Sequence, residues 1–98
     1  GYGMARVRER DIEQYFIRRV REAGGLQRKF VSPGHRGVPD RIVVFEGGRV
    51  SFVELKAPGK EARDDQRREH KRLRDMGCLV HVLDSREMVD EFIKWRTS

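Results

Sequence analysis

The spacing of apolar residues along the chain predicts two long amphipathic helices. The first runs from about Arg8 to Ala23, and Gly24-Gly25 follows as a stop signal. Its apolar residues recur at helical intervals: Ile12, Phe16, Ile17, Val20 and Ala23. The second runs from about Lys60 to Met76, and Gly77 stands where a left-handed cap is expected. Each helix therefore needs a surface against which it can bury one face.

Four runs with strand-like composition lie between and after these helices. They cover Leu26 to Ser32, Arg41 to Phe45, Arg49 to Lys56 and Leu79 to Leu83. The turn Glu46-Gly47-Gly48 joins the second and third runs as a hairpin. The Gly- and Pro-rich segment 32–39 forms a loop that leads to Asp40. Asp84 or Ser85 can cap a last helix that ends near Trp95.

This order of elements predicts the fold class and the number of domains. Helix, three strands, helix, strand and helix make an αβββαβ(α) core, an α/β fold in which helices flank a mixed central sheet. The 98 residues suffice for one hydrophobic core, so residues 4–98 are expected to form a single domain. Gly1, Tyr2 and Gly3 precede Met4, which suits a start codon, and they are set aside as an expression remnant.

Composition narrows the range of partners. The 22 Lys and Arg residues outnumber the 16 Asp and Glu residues, which gives a formal net charge of +6. Such an excess favours a polyanion, although a generic soluble surface can have the same composition. The single cysteine, Cys78, excludes an internal disulfide framework and a cysteine-rich zinc site. No apolar run approaches the roughly 20 residues that cross a bilayer, which predicts an intracellular protein without a membrane partner.

Two polar residues stand on helix faces that the periodicity assigns to the core. On a helical wheel, Glu13 falls between Phe16, Val20 and Ile17, near the middle of the apolar face. A glutamate there either reaches water at the edge of the face or needs a cation, because an unpaired buried carboxylate is costly. Gln66 lies on the stripe of the second helix that points toward the sheet. The same stripe contains Ala62, Glu69, Leu73 and Met76.

The strongest chemical pattern is the pair Glu54 and Lys56. Strand alternation places both side chains on one face, about 7 Å apart, and Asp40 at the mouth of the neighbouring strand supplies a second carboxylate. Acidic oxygens suit Mg²⁺ or Mn²⁺, and Mg²⁺ takes one or two carboxylates together with waters and substrate phosphate. For Asp40 and Glu54 to share a face, the hairpin needs an odd-length turn or a bulge. A two-residue Gly47-Gly48 turn would pair Asp40 with Leu55 instead.

Together these residues resemble the VRR-NUC domain of the PD-(D/E)xK nuclease superfamily. The resemblance extends from Glu9 to Ile93. It is carried by Gly37-Val38-Pro39-Asp40-Arg41-Ile42-Val43, by Glu54-Leu55-Lys56, by Gln66, and by Glu13 upstream of Gly24-Gly25. It implies a restriction-endonuclease-like fold and a phosphodiester hydrolase that uses Mg²⁺ or Mn²⁺ to activate a water for in-line attack.

The resemblance also implies roles for individual residues. Asp40 and Glu54 would bind the metal with the Leu55 backbone carbonyl as a further ligand, and Lys56 would handle the attacking water. Glu13, a possible metal ligand, and Gln66 would complete the metal shell or orient that water. Basic residues near the motif are expected to contact the DNA backbone: Arg36, Lys60, Arg63, Arg67 and Lys71. The three histidines, His35, His70 and His81, are expected to be structural or to contact phosphate.

The preferred DNA structure and the assembly state follow from the family alone. Stand-alone VRR-NUC proteins of this size resemble junction resolvases, which implies a two-fold homodimer that prefers branched DNA, four-way junctions above all. Phe30, Phe92 and Trp95 are candidates for the dimer surface, although each also suits the core. Two alternatives stay open: a flap or single-strand nuclease, and a DNA-binding module without catalysis. A sequence-specific restriction enzyme would need further elements for base readout.

Overall fold

The structure is a computed structural model that describes residues 6–98, in which seven elements follow one another in the predicted order. The helices are α1 (Glu9–Glu22), α2 (Asp64–Asp75) and α3 (Arg86–Arg96), and the strands are β1 (Leu26–Lys29), β2 (Arg41–Phe45), β3 (Arg49–Leu55) and β4 (Val80–Leu83). Residues 1–3, set aside as a remnant, lie outside the described residues. No helix within residues 6–98 is long and apolar enough to cross a membrane.

A four-stranded mixed sheet forms the centre of the fold, in the order β1-β2-β3-β4. The first three strands are antiparallel to their neighbours, whereas β4 lies parallel to β3. Helices α1 and α3 cover one face of this sheet, where Phe16 and Phe92 pack together with Val43, Val53 and Leu55. Burying a side chain of this size contributes about 1.5–3 kcal/mol to folding. The face beneath α1 and α3 is therefore the main hydrophobic core.

The hairpin between β2 and β3 has the odd-length turn that a shared site requires. Phe45 pairs with Arg49 and Arg41 pairs with Val53, so three residues form the turn and no bulge interrupts the ladder. Continuing this register by one residue places Asp40 opposite Glu54. Because residues paired across antiparallel strands point to the same face, both carboxylates project from the sheet face that α1 and α3 leave free.

Helix α2 covers only part of that second face. It packs mainly against β4, and it lies over the carboxyl end of β3, where Glu54, Lys56, Gln66 and His70 are buried. The rest of the face carries the exposed Arg28, which pairs with Ile42, and otherwise mainly apolar side chains that stay partly or largely exposed. We call them the bare sheet patch: Leu26, Phe30, Ile42, Val44, Val50 and Phe52. The second face thus has a polar buried half and an apolar open half.

The loop before β2 is held against the first turn of α2. His35 Nε2 lies 2.9 Å from Glu69 Oε1, and the backbone of Gly37 passes directly beside that of Asp65. A Cβ built on Gly37 would lie 2.6 Å from the Asp65 carbonyl oxygen, and Gly37 has a φ of +89°. Only glycine satisfies both conditions without strain. The loop and the helix therefore position Asp40 and Gln66 relative to each other.

Several predictions about individual residues are wrong. Strand β1 ends at Lys29 and not at Ser32, and α2 begins at Asp64 and not at Lys60, because a turn from Ala57 to Lys60 precedes the helix. Met76, assigned to the sheet-facing stripe, is exposed, whereas Phe92, a candidate for a dimer surface, is buried in the core. The prediction that Asp84 or Ser85 caps α3 is confirmed, because the N-cap is Ser85, whose Oγ accepts a hydrogen bond from the Met88 amide at 3.1 Å.

We expect Gly37→Ala to destabilise the protein by roughly 3 kcal/mol, because the substitution combines an unfavourable backbone conformation with a steric clash against α2. Gly34→Ala is the matched control, since Gly34 has a similar φ of +81° but nothing within 4 Å of a built Cβ. It should cost only about 1 kcal/mol. Urea unfolding of the two variants measures the difference. Equal losses would show that the loop does not pack against α2.

Candidate active site

Asp40 and Glu54 form an acidic pair at the end of β3. The Leu55 amide donates a hydrogen bond to Asp40 Oδ2 at 2.8 Å, which fixes one carboxylate beside the other. Glu54 is only 2% exposed. Its burial, together with the neighbouring Asp40 carboxyl, raises the pKa of Glu54 to about 8, and the opposite charge of Lys56 only partly offsets this effect. The two carboxyl groups therefore repel each other in a place with little water.

The Gln66 side chain connects this acidic pair to Lys56 and to the start of α2. Its Nε2 donates to Glu54 Oε2 at 2.9 Å, while its Oε1 accepts from Lys56 Nζ at 2.8 Å and from the Arg63 backbone amide at 2.9 Å. These partners fix the orientation of the amide, since an ammonium and an N–H need an acceptor and a carboxylate needs a donor. The structure thus brings four of the predicted site residues, Asp40, Glu54, Lys56 and Gln66, into one cluster.

The charges in this cluster suit a divalent cation. Two carboxylates stand against one ammonium, Lys56 Nζ, which lies 3.6 Å from Glu54 Oε2. Glu54 Oε1 is buried and has no hydrogen-bond partner among residues 6–98. Within the same residues, no three acidic, histidine or cysteine side chains converge as a complete metal cage. Two carboxylates with open positions for waters and phosphate match the way in which Mg²⁺ is usually bound.

The helical wheel predicts Glu13 in the middle of the buried face of α1, and this prediction is wrong. Ile12 occupies that place at 1% exposure, and Glu13 lies on the flank of α1, where Arg41 Nη2 donates to its Oε2 at 3.2 Å. The nearby cation is therefore an arginine from β2. Arg41 also donates to Gln27 Oε1 at 3.0 Å, so it links α1 to the first two strands beside Asp40.

Glu9 is a site neighbour that is not among the predicted site residues. Burial raises the pKa of Glu9, and the negative charges of Asp40 and Glu13 raise it further, whereas Lys56 lowers it. Glu9 lies one turn before Glu13 on α1, so both glutamates are on the side of the helix that approaches the acidic pair. Helical spacing aligns Glu9 with Ile12 and Phe16, at i+3 and i+7. The pattern therefore contained a signal, but an acidic residue in the first turn of a helix is common for another reason, its interaction with the helix dipole.

The basic residues assigned to DNA contact are exposed around α2 and the preceding loop. Among the residues of this group that form ion pairs, Arg36 has the most exposed side chain, at 89%. Its Nε lies 3.9 Å from Asp65 Oδ2. Arg63, Arg67 and Lys71 are also exposed, and each pairs with an acidic residue of α2 or of the segment before it. Exposed pairs of this kind are weak, so these cations remain accessible to phosphate.

The three histidines occupy different environments. His70 is buried beneath α2, where its Nε2 lies 3.9 Å from Glu54 Oε1, so contact with a DNA phosphate is excluded for this residue. His35 is half exposed and bonded to Glu69, as described above. His81 lies on the opposite sheet face, with its ring 4.9 Å from that of Phe92. His35 alone of the three is exposed enough to meet a phosphate.

The raised pKa of Glu54 predicts a pH-dependent stability. In the unfolded chain the carboxyl titrates near 4.5, and in the folded protein near 8, so folding favours the protonated form. Its contribution is complete below about pH 4.5 and is lost as the pH rises through about 8. We expect the protein in chelator to lose on the order of 2 kcal/mol between pH 5 and pH 8, relative to Glu54→Gln.

Urea unfolding at several pH values in this range measures the effect. Glu46→Gln is the control, because Glu46 lies exposed in the hairpin turn at the far end of β2, and its curve should follow that of the unsubstituted protein. Parallel pH curves for the protein and for Glu54→Gln would contradict the assignment of a buried, protonated carboxyl.

Comparisons with known proteins agree with this geometry. Residues 18–87 match the model of the VRR-NUC domain. A relative named "Putative nuclease p44", from Acyrthosiphon pisum secondary endosymbiont phage 1, is 49% identical over 85 residues, which are 87% of this chain and 91% of the relative. A solved structure of a VRR-NUC domain is 36% identical and superposes with a TM-score of 0.82, over 88% of this chain and 94% of that one. The chain therefore belongs to the VRR-NUC family, and it is a nuclease of that family.

Proposed function

We propose that this nuclease is a metal-dependent endodeoxyribonuclease, in which Asp40 and Glu54 bind Mg²⁺ or Mn²⁺ and a DNA phosphodiester is hydrolysed. The observation that supports it best is the buried Glu54 carboxylate, which faces a second carboxylate and retains an oxygen without a partner among residues 6–98. A buried charge of this kind is costly unless it is paired or binds a metal. A divalent cation held by Asp40 and Glu54 would compensate the repulsion between the two acidic groups.

Each residue of the cluster has a distinct part in the proposed reaction. A bound cation would lower the pKa of an attacking water and screen the charge that grows on the phosphate. Lys56 adds a positive charge at the reacting centre and donates a hydrogen bond to the water. Gln66 holds both Lys56 and Glu54 in place, and the Leu55 carbonyl is proposed as a further metal ligand. Glu13 and Glu9 are proposed to support the site from α1.

The proposal that the substrate is DNA rests on the distribution of charge. The acidic cluster is flanked by the exposed cations of the loop and of α2, and the net charge of the chain is +6. Cations in such positions contact phosphate oxygens without regard to base sequence. This arrangement suits recognition of DNA shape. We therefore propose that Arg36, Lys60, Arg63, Arg67 and Lys71 track the DNA backbone toward the carboxylates.

We further propose that the protein acts as a two-fold homodimer on branched DNA, four-way junctions in particular. Resolving a junction requires cuts on two strands, and two-fold symmetry supplies two sites. The bare sheet patch supports this assembly, because Val50 and Leu26 are 44% and 59% exposed. The ring of Phe30, which is partly exposed, lies 5.7 Å from that of Phe52 within the same patch. Exposed contiguous apolar surface often marks an interface.

A flap or single-strand nuclease is the main alternative for the substrate, and the same acidic cluster would serve it. A DNA-binding module without catalysis is less well supported. It would use the basic surface but would gain nothing from burying Glu54 and Lys56 together, since replacing a buried ion pair with apolar residues is often neutral or stabilising.

Substitutions in the cluster test the proposed chemistry. Asp40→Asn, Glu54→Gln and Lys56→Ala should each lower cleavage in Mg²⁺ or Mn²⁺ by at least about 100-fold, because each removes charge at the reacting centre. DNA affinity in a chelator should stay within about 3-fold, since the exposed cations that supply it are unchanged. Cleavage of labelled DNA and filter binding give the two readouts, with Glu46→Gln as control. Full activity of Asp40→Asn would refute the metal site.

A second experiment tests the assembly state and the DNA structure. Sedimentation should show a dimer at micromolar concentration, and Val50→Glu should convert it to a monomer because two buried charges would face each other across the two-fold axis. Met88→Glu is the control, since Met88 is comparably exposed on α3, away from the patch. Four-way junctions should be cut faster than matched flap, single-stranded and duplex DNA. A strict monomer, or equal rates on duplex and junction, would rule out the resolvase proposal.

A further inference from the structure

His70 is a buried residue with a place in the site that neither the motif nor the mechanism explains. It lies four residues after Gln66 on α2, so the two side chains emerge from the same side of the helix, one turn apart. Its side chain is 1% exposed. A histidine in such a position loses its hydration and gains no apolar contact that a phenylalanine would lack, which suggests that a ring nitrogen is used.

Two buried polar atoms face each other at this point. His70 Nε2 and Glu54 Oε1 both lack a hydrogen-bond partner among residues 6–98, and they lie 3.9 Å apart. Buried polar atoms in folded proteins are almost always hydrogen-bonded. A shift of about 1 Å, which a small side-chain rotation provides, would bring the two atoms within hydrogen-bond distance. Each atom is therefore a partner within reach of the other.

The chemistry of the two groups fixes the direction of the bond. The His70 nitrogen that faces Glu54 is Nε2, and a ring nitrogen can donate to a carboxylate only when it carries a proton. A glutamate that binds a metal is ionised and can only accept. The proton of the ring must then reside on Nε2. Gln66 already donates to Glu54 Oε2, so a donor on Oε1 would restrain the second oxygen of the same carboxylate.

We propose that His70 is a positioning residue, which donates from Nε2 to Glu54 Oε1 and orients this carboxylate toward the metal. The inference rests on the proposed metal-dependent function. Hydrogen bonds to a ligating carboxylate commonly contribute 10- to 100-fold to metal affinity. His70 and Gln66, on successive turns of α2, would together leave the remaining lone pairs of Glu54 directed at the cation.

Binding of Mn²⁺ to the protein without DNA tests the role of His70. We expect His70→Phe, which keeps the ring and removes the donor, to weaken Mn²⁺ binding by about 10-fold, and His70→Gln to recover part of the loss through its amide N–H. His81→Phe is the matched control and should stay within about 2-fold, because His81 lies on the opposite sheet face. In cleavage assays, His70→Phe should raise the half-saturating Mn²⁺ concentration more than it lowers the rate at saturation.

Nitrogen-15 NMR of the histidine rings tests the contact itself, without metal. At pH 9, where Glu54 is ionised, His70 should be the Nε2–H tautomer with a slowly exchanging ring proton, and Glu54→Ala should remove that protection. An Nδ1–H tautomer, or unchanged Mn²⁺ affinity in a folded His70→Phe variant, would overturn the proposal. If the unsubstituted protein bound no Mn²⁺, the proposed metal function would fail, and the NMR result would still decide whether His70 contacts Glu54.

Discussion

The placement of two carboxylates side by side in a buried pocket is the constraint on which the rest of the structure depends. Asp40 and Glu54 meet because the three-residue turn sets the β2–β3 register. Burial and, after it, the repulsion between the two groups raise the pKa of Glu54, and the repulsion would destabilise the fold if nothing opposed it. Lys56, the Leu55 amide and Gln66 all point into the same volume. The donors that surround the pair thus stabilise the folded site, and the same donors belong to the proposed chemistry.

One side chain of α2, that of Gln66, both caps the start of the helix and contacts the acidic pair. Gln66 is the third residue of the helix, and its Oε1 accepts from the Arg63 amide at the helix start, as a residue in a capping box does. The same amide group bridges Glu54 and Lys56. The start of α2 and the acidic pair are therefore held by the same side chain. A substitution at Gln66 would disturb the end of the helix and the acidic pair together, so loss of activity there is not evidence of a chemical role by itself.

The sequence was sufficient to predict the order of elements and the inward direction of Gln66. The condition that Asp40 and Glu54 share a face predicted either an odd-length turn or a bulge, and the structure has the odd-length turn. These features depend on local periodicity and turn length, which a single chain displays directly. How deeply a side chain is buried, and which distant residue it contacts, was harder to predict. A helical wheel places Glu13 in the middle of the buried face, whereas the residue lies on the flank of α1, where Arg41 on β2 reaches it. No local rule places His70 beside Glu54. Such contacts join segments that are far apart in the chain.

The two faces of the sheet hold different kinds of residue: one carries the main apolar core, and the other carries the acidic cluster. Helices α1 and α3 bury a continuous apolar core on one face, which contributes most of the folding energy. The other face can then hold a cluster of charges that is unfavourable by itself, because the main cluster of buried apolar side chains lies on the first face. The bare sheet patch lies on this second face, in register with the site: Ile42 pairs with Phe52, one step from Asp40 and Glu54 along each strand's exposed side. A partner that covers the patch would also exclude water near the carboxylates, and a drier site strengthens every charge interaction within it. Assembly and chemistry would then be coupled through the sheet face that they share.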